Sequence, residues 1–304
     1  MGEGCRLCSK RRIMKNKVKS VKIFSIFVLP ALFIWTTVVL ISFLYGLNIT
    51  FTDWNGMSLK YNYIGLKNYV SIFTDEAFLN SLKITFIYAA AVIVLANVLA
   101  LLLAFLLTSG FKGQSVYRTG FFSPNIVGGV IMGYIWNYTF SFALPLIGKT
   151  FGIELFSKSW LTDSRKALWA LIIVTVWQLA GYLMIIYISG LTTISTDIIE
   201  ASKIDGATGL QTIRYIKLPM IRSSVTICLF LAISKAFMAF DVNLTLTEGG
   251  PFKATELISL KIYQTAFSNA KYGEGQAQAI VLFIIVAAIS IVQIIATRKG
   301  EVEA

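Results

Sequence analysis

The sequence predicts an all-α polytopic membrane protein with about six transmembrane helices. Hydrophobic residues make up 56% of the 304 residues and charged residues only 14%, whereas soluble domains carry about 25% charge. The mean hydropathy is +0.73. The apolar residues are also gathered into long runs, each near the roughly 20 residues that a helix needs to cross a bilayer.

These runs define the predicted spans and the domain organisation. The spans are 23–46, 78–107, 120–142, 167–190, 223–246 and 276–297. The second is long enough to tilt or to project beyond the bilayer. The predicted divisions are a basic cytoplasmic tail over 1–22, a six-span domain over 23–297 that includes a loop at 195–222, and a cytoplasmic tail over 298–304.

Basic residues indicate the orientation of the chain. The net charge is +12, and residues 1–22 contain eight lysines and arginines but one acid, Glu3. Such residues accumulate in cytoplasmic segments, so the N-terminus is predicted to be cytoplasmic, and six spans put both termini on that side. A basic chain can also bind nucleic acid, but here the charge lies beside apolar runs, and no nucleic-acid partner is expected.

The N-terminal segment is predicted to remain in the mature protein. Its apolar run is too long for a secretory signal and lacks a small-residue cleavage site. Met14 is an alternative start, because a normal basic leader follows it. The lone motif from Cys5 to Cys8 is interpreted as part of an inert, reduced tail. Cys228 lies in an apolar run and is expected to pack there.

The residue types disfavour catalysis within this chain. The chain has no histidine, which removes the commonest general base and metal ligand. It has no G-x-x-x-x-G-K-[ST] motif for binding ATP. The acidic residues are scattered, unlike those of a membrane-embedded enzyme. An ion-coupled secondary transporter stays an alternative, although no internal repeat is evident. The prediction is a membrane chain without catalytic residues, cofactor or metal.

A polar stretch, EASKIDGATGLQTIRYIKLP at 200–219, lies between the fourth and fifth runs. Ser195 or Thr196 can cap a helix that Gly206 ends or bends. TGLQTIRYIKL can form a second short helix, and Pro219 is expected to bar its simple continuation. The prediction is a compact helix–turn–helix at the membrane surface.

This loop has two interpretations from the residues alone. Ile198, Ala201 and Ser202 are spaced i, i+3, i+4, so they are predicted to share one small, smooth face. The alternative is an amphipathic connector on anionic headgroups. Its basic residues would be Lys203, Arg214, Lys217 and Arg222.

The spacing E-A-S-x3-G-x9-I-x-L-P resembles the EAA loop of the membrane subunits of binding-protein-dependent ABC importers. EASKIDGATGLQTIRYIKLPMI is similar to the carbohydrate-uptake, maltose-type branch, with Ser202 in place of the second alanine. FTDWNG, YIGLKNYV and FMAFDVNLTLTEGGPFKATELISLKIYQTAF also resemble this family, so the likeness covers nearly the whole chain after the leader. The segment 136–155 lacks the expected glycine-asparagine pattern.

The resemblance implies a permease of the bacterial cytoplasmic membrane with several partners. These are a second permease, two ATP-binding subunits that hold ATP and magnesium, and an extracellular solute-binding protein that meets the outer loops at 47–77 and 247–275. The polar stretch would be a coupling helix docked on an ATP-binding subunit. The implied coupling residues are Glu200, Ala201, Ser202, Asp205, Gly206, Ala207, Leu218 and Pro219.

Polar and aromatic residues within the spans are candidates for the substrate path, because polar groups are costly in the membrane. Carboxylates and amides suit sugar hydroxyls. The candidates are Asp241, Asn243, Trp177, Gln178, Tyr182 and Asn137. Helix packing or a position at the membrane interface is the alternative role for each. Lys235 and Asp241 are six residues apart, about 240° around a continuous helix, and are not expected to pair.

The predicted substrate is a sugar or oligosaccharide. A small phosphate ester such as a glycerol phosphate is the alternative, and a fixed cationic cavity would favour it. Lys235 is the one cation found in the middle of a predicted span. A neutral sugar is therefore favoured.

Overall fold

The computed structural model describes residues 24–58, 60–110 and 112–298. The basic tail, the Cys5–Cys8 motif, Met14 and residues 299–304 lie outside this part of the chain. The described residues are predominantly helical, with one isolated antiparallel bridge between Thr52 and Tyr63. The predicted all-α membrane class is confirmed.

The helices are numbered here in chain order. They are α1 (Phe24–Ile49), α2 (Lys67–Thr74), α3 (Glu76–Leu106), α4 (Gln114–Ile126), α5 (Gly129–Phe151), α6 (Ser164–Thr192), α7 (Thr196–Ile204), α8 (Gly209–Met220), α9 (Arg222–Phe237), α10 (Asp241–Leu246), α11 (Ile258–Tyr263) and α12 (Tyr272–Arg298). Short π-helical segments occur within α1, α5 and α8 and directly after α11.

Within the described ranges, five helices are long and apolar enough to cross a membrane: α1, α3, α5, α6 and α12. The pair α8 and α9 gives a sixth span if the two helices are counted together, although they are bent by 71°. The runs predicted at 23–46, 78–107, 167–190 and 276–297 correspond closely to α1, α3, α6 and α12. The predicted number of spans is therefore confirmed, with corrections to the third and fifth.

The third span is displaced from its predicted position at 120–142. The chain is extended at Val127 and Gly128, so α4 ends and a separate helix, α5, begins at Gly129 and continues to Phe151. Pro124 lies in the last turn of α4, where it lacks an N–H to donate. Hydropathy continues smoothly across this break, which is why the run looked like one helix.

The fifth span is also not the single helix predicted at 223–246. The helix α9 has 16 residues and ends at Phe237, and α10 has six. Pro219 does not end the preceding helix. It sits within a last helical turn, Leu218–Met220, directly after a π-helical segment, and the 71° bend comes at Ile221. The missing N–H of proline is accommodated by the wider π turn.

The centre of the bundle is α6, which packs against α3, α4 and α9. In the most apolar 18-residue stretch of α6, 61% of the residues are buried. In the corresponding stretch of α1, at the periphery, the share is 0%. Two hydrogen bonds join α3 to α6: the hydroxyl of Tyr88 donates to Thr175 Oγ1 at 2.8 Å, and that of Tyr187 donates to Asn97 Oδ1 at 2.8 Å. These bonds satisfy polar groups away from water.

Asp163 begins α6 as its N-cap. Its carboxylate accepts hydrogen bonds from the backbone N–H groups of Lys166 and Arg165, each at 3.0 Å. These bonds lower the pKa of Asp163, with the Lys166 bond the largest cause. The charged carboxylate also suits the positive end of the helix dipole.

Glycines permit close helix contacts at defined positions. A Cβ on Gly181 of α6 would lie 1.9 Å from the backbone oxygen of Phe121 in α4, and one on Gly133 would lie 1.8 Å from Thr245 Oγ1. Close contacts also occur at Gly129 and Gly133 of α5, whereas Gly128 has open space around it.

We predict that Gly181→Ala destabilises the protein, because the Phe121 carbonyl belongs to the backbone and cannot turn aside. Overpacking of this kind costs about 1–3 kcal/mol. The measurement is thermal inactivation of the detergent-solubilised protein, followed by size-exclusion chromatography.

The matched control is Gly120→Ala on α4, where a Cβ meets nothing within 4 Å. Its expected effect is neutral or slightly stabilising, since alanine favours a helix by about 1 kcal/mol over glycine. Equal thermal stability of the two variants would contradict the close α4–α6 contact.

Candidate functional site

A cleft of about 290 Å³ opens where two helices are broken. The break between α4 and α5 and the break between α9 and α10 both line it. The middle of α6 contributes Thr175, Gln178 and Leu179. The polar residues that line the cleft, called here the central cavity, are Asn125, Thr175, Gln178, Lys235 and Asp241.

Gln178 stabilises the first break. Its side-chain amide donates to the carbonyl oxygens of Pro124 at 3.3 Å and Val127 at 3.1 Å. Carbonyls at the end of a helix have no partner within it, so this amide supplies hydrogen bonds that α4 lacks. Gln178 is thus both a lining residue and a support for the shape of the cavity.

The second break brings Lys235 and Asp241 to the same cavity. The sequence-based expectation of no pairing between them assumed one continuous helix. The helix instead ends at Phe237, so both residues line this cavity, and no ion pair joins them among the described residues. Asp241 approaches α5 at Gly129, where a Cβ would lie 2.6 Å from the Asp241 Cβ. Both charged side chains are exposed. The cavity therefore offers an anionic and a cationic group together.

Asn243 does not line the central cavity, contrary to expectation. It is fully buried, and its amide donates to Thr247 Oγ1 at 3.0 Å and to the Thr255 carbonyl at 2.8 Å. The side-chain oxygen of Asn243, Oδ1, accepts from the backbone N–H of Leu257 at 3.2 Å. Asn243 lies two residues after Asp241, so the short helix turns it towards the following loop instead.

The other predicted path residues lie away from the central cavity. Trp177 is 40% exposed and packs edge-on against Trp136, with ring centres 5.5 Å apart. Tyr182 is half-buried against the core. Asn137 donates to the Leu246 carbonyl at 2.8 Å and lines a second cleft, of about 330 Å³, beside the turn after α10.

Thr175 was missed by the sequence reasoning. Threonine is common in packed transmembrane helices, so its type carries little signal. The position of Thr175 is the informative signal, because Thr175 and Gln178 are three residues apart on α6 and share one face of the helix. The side chain also accepts the hydrogen bond from Tyr88.

The loop between α6 and α9 has the predicted helix–turn–helix form. Ser195 caps α7 by accepting from the Asp197 N–H, and Gly206 follows the helix with φ of 79°. Thr208 and Gln211 form a reciprocal capping box at the start of α8. The three polar residues and the glycine therefore set the turn between the helices locally.

The exposed face of this loop differs from the predicted one. Ser202 is buried, with its hydroxyl 3.5 Å from Thr212 Oγ1 of α8, so it joins the two helices to each other. Ile198 and Ala201 are exposed as expected. Two large apolar side chains that the sequence reasoning overlooked flank the turn: Ile204 is 86% exposed and Leu210 is 76% exposed.

The remaining coupling candidates lie around the same surface. Glu200, Asp205, Gly206 and Pro219 are exposed, and Ala207 and Leu218 are half-buried. A shallow cleft of about 310 Å³ adjoins the turn, lined in part by Asp205, Gly206, Ala207 and Tyr215. We call the exposed residues of α7, the turn and the start of α8 the loop face.

One helix connects the central cavity with the loop face. From Gln178 to the end of α6 at Thr192 the helix rises about 21 Å. The helix α7 follows after three residues, and α9 returns from the loop to Lys235. Two helices, α6 and α9, therefore connect the loop with the cavity.

Known proteins resemble this chain along most of its length. AmyD of Thermoanaerobacterium thermosulfurigenes, described as a probable starch degradation products transport system permease protein, is 41% identical over 297 residues, covering 98% of this chain and 100% of AmyD. UgpA of Agrobacterium fabrum, an sn-glycerol-3-phosphate transport system permease protein, is 30% identical over 79% of this chain and 82% of its own length.

A solved structure supports the fold. The crystal structure of a bacterial ABC transporter involved in the import of the acidic polysaccharide alginate aligns with a TM-score of 0.81 at 21% identity. The alignment covers 95% of this chain and 99% of the other.

The family model described as binding-protein-dependent transport system inner membrane component matches residues 84–298. This range includes α4 to α12 entirely, and hence both the central cavity and the loop face. With these relatives and its apolar helices, the protein is a multi-pass membrane protein that belongs to the family of inner membrane components of binding-protein-dependent transport systems.

Proposed function

We propose that this protein is the permease subunit of an ATP-driven importer for a sugar or oligosaccharide. With a second permease it forms the transmembrane path for a substrate that an extracellular solute-binding protein delivers. The observation that carries the proposal is the 41% identity to AmyD over the full length of that relative, whose described substrates are starch degradation products. The subunit itself is not an enzyme.

The loop face is the proposed contact with the motor. Two separate subunits bind ATP and magnesium, and one of them docks on Glu200, Ala201, Asp205 and Gly206. Ile204 and Leu210 support this role, because large apolar side chains at 86% and 76% exposure gain stability when a partner covers them. The buried Ser202 and the half-buried Leu218 would make the loop rigid instead of touching the partner.

The proposed orientation puts the loop face and both termini in the cytoplasm of a bacterium, at its cell membrane. The basic tail over 1–22 supports this arrangement. The proposed divisions remain the tail, the six-span domain over 23–297 and the tail over 298–304. The turn between α10 and α11 is then on the extracellular side.

The central cavity is the proposed substrate path. Its volume of about 290 Å³ suits one or two sugar rings, and drug-sized ligands occupy clefts of about 300–1,000 Å³. Asp241 and Gln178 offer acceptors for sugar hydroxyls. Trp177, Tyr182 and Asn137 would then act at a distance, by packing around the cavity.

Import of a glycerol phosphate is the second candidate function. Lys235 in the cavity and the 30% identity to UgpA favour it. Asp241 in the same cavity disfavours it, because a carboxylate repels a phosphate. Sugar import is the better supported of the two.

We predict that two charge-removing variants distinguish these substrates. For a sugar, Asp241→Asn should raise the transport KM at least about tenfold, since hydrogen bonds to charged groups contribute roughly 1.5–3 kcal/mol. Lys235→Gln should change it less than about threefold. The measurement is uptake of a radiolabelled starch-derived oligosaccharide, with radiolabelled glycerol 3-phosphate in parallel. A larger loss for Lys235→Gln, with glycerol 3-phosphate as the better substrate, would favour the second function.

We predict that Glu200→Lys lowers sugar uptake at least about tenfold, a loss of roughly 1.4 kcal/mol in docking, while the protein still inserts in the membrane. The charge reversal puts a cation where the proposed contact has an anion. The measurements are uptake, membrane content and co-purification of the ATP-binding subunit.

The matched control for this prediction is Glu154→Lys. Glu154 is also exposed, but it lies in the segment between α5 and α6, at the opposite end of α6 from the loop face. Normal uptake and normal co-purification with Glu200→Lys would count against the docking role of the loop.

A further inference from the structure

Aromatic side chains from four separate segments of the chain form one connected row, at the end of the bundle where α1 ends and α12 begins. Consecutive ring centres in the row are 5.5, 5.2, 5.1 and 5.1 Å apart. The fold therefore brings these rings together, and we call them the aromatic track. In order, its members are Trp54 after α1, Tyr272 at the start of α12, Phe267 after α11, Tyr263 at the end of α11 and Phe240 directly before α10.

One end of the aromatic track lies at the central cavity. Phe240 lines the cavity and directly precedes Asp241, whose carboxylate lies there. The ring of Phe240 contacts that of Tyr263, with 51° between the two planes. The track is therefore continuous with the proposed substrate path.

Hydrogen bonds and close contacts fix the far end of the track. The backbone N–H of Gly273 donates to the Trp54 carbonyl at 3.0 Å, and the Trp54 indole donates to the Ser58 carbonyl at 2.8 Å. A Cβ on Gly56 would overlap the Tyr272 ring, so the backbone of this loop lies directly against that ring. The two rings are thus ordered before a ligand arrives, which lowers the entropy lost on binding.

The rings in the middle of the track are open to the surroundings. Phe267 is 58% exposed and Tyr263 is 39% exposed. Phe267 belongs to a π-helical segment, Gln264–Ser268, and such segments are frequent at functional sites. Exposed polar residues, Ser268 and Asn269, directly follow it. The track therefore presents aromatic rings beside polar side chains.

Exposed aromatic rings beside polar side chains suit an oligosaccharide. The face of an aromatic ring is negative and attracts the slightly positive C–H groups on one side of a sugar ring. The sugar hydroxyls then lie at the edge, where Ser268 and Asn269 can bond them. A glycerol phosphate has no sugar ring to stack. A lipid chain covering this surface would leave the polar side chains without hydrogen bonds, which is costly.

We infer that the aromatic track guides an oligosaccharide into the central cavity, and that the importer therefore favours longer chains. This inference rests on the proposed function and narrows its substrate class to oligosaccharides. Successive sugar units stack on successive rings while the leading unit reaches Asp241. Because neighbouring rings are alike and nearly evenly spaced, the sugar can advance from one ring to the next without a large change in free energy.

The test measures how the importer distinguishes oligosaccharides by length. A starch-derived disaccharide and heptasaccharide with different radiolabels compete for uptake into the same vesicles, which contain the complete importer, its solute-binding protein and ATP. The ratio of the two uptake rates gives the ratio of their kcat/KM values. Phe267→Ala is expected to lower the heptasaccharide-to-disaccharide ratio at least about fivefold relative to the unmodified importer, because the shorter sugar loses fewer contacts.

Phe142→Ala is the matched control. Phe142 is 63% exposed and its ring centre lies 5.4 Å from that of Tyr138, a pair like Phe267 and Tyr263, but it lies within α5 outside the track. Its expected change in the ratio is less than about twofold. Phe267→Tyr keeps the aromatic ring and should keep the ratio, whereas Phe267→Leu keeps only apolar bulk and should lower the ratio as alanine does.

The outcomes separate this inference from the proposed function. If the unmodified importer takes up neither sugar, both fail. If it takes up sugar but rejects the heptasaccharide, or if Phe267→Ala leaves the ratio unchanged, the track is overturned and the proposed function stands. Equal loss of both sugars in Phe267→Ala means that the ring supports assembly or docking instead. A normal ratio in Phe267→Leu means that lipid or the second permease covers the ring. Either result also overturns the track.

Discussion

The structure depends on one constraint: a backbone group inside a membrane must find a hydrogen-bond partner within the protein. Continuous helices satisfy it automatically, as α3 and α6 do. Where the chain leaves a helix, side chains must supply the bonds. Gln178 bonds the carbonyls at the end of α4. The same need arises where backbone is buried in the turn after α10: Asn243 bonds the backbone of Thr255 and Leu257, and Thr85 bonds the first N–H of α11. These polar side chains replace the hydrogen bonds that the irregular backbone lacks at the breaks.

The breaks in turn create the central cavity. The two breaks leave a space beside α6, and Lys235 and Asp241 both line it. Gly129 and Gly133 let α10 lie directly on α5. The same short helix carries Asp241 at its start and Asn243 two residues later, so it supports both the cavity and the turn between α10 and α11. The packed helix α6 joins this region to the loop face.

Residues differed in how far their structural roles could be predicted from the sequence. Ser195, Gly206 and the capping residues of α8 have local effects on the backbone, so the helix–turn–helix was predictable from the sequence. The burial of Ser202 was not predictable from the sequence, because it depends on packing between α7 and α8. Asn243 looked like a path residue, since its amide suits a sugar as well as a backbone. Only its three bonding partners distinguish these roles.

The sequence by itself determined the membrane class, the approximate number of spans and the polar loop between α6 and α9. These features follow from the length and hydropathy of runs and from local capping, which neighbouring residues decide. The tertiary structure decided where helices break inside an apolar run and which polar residues line the cavity. Those features depend on hydrogen bonds and close contacts between residues far apart in the chain, such as Gln178 with Val127 or Gly129 with Asp241, which hydropathy does not record.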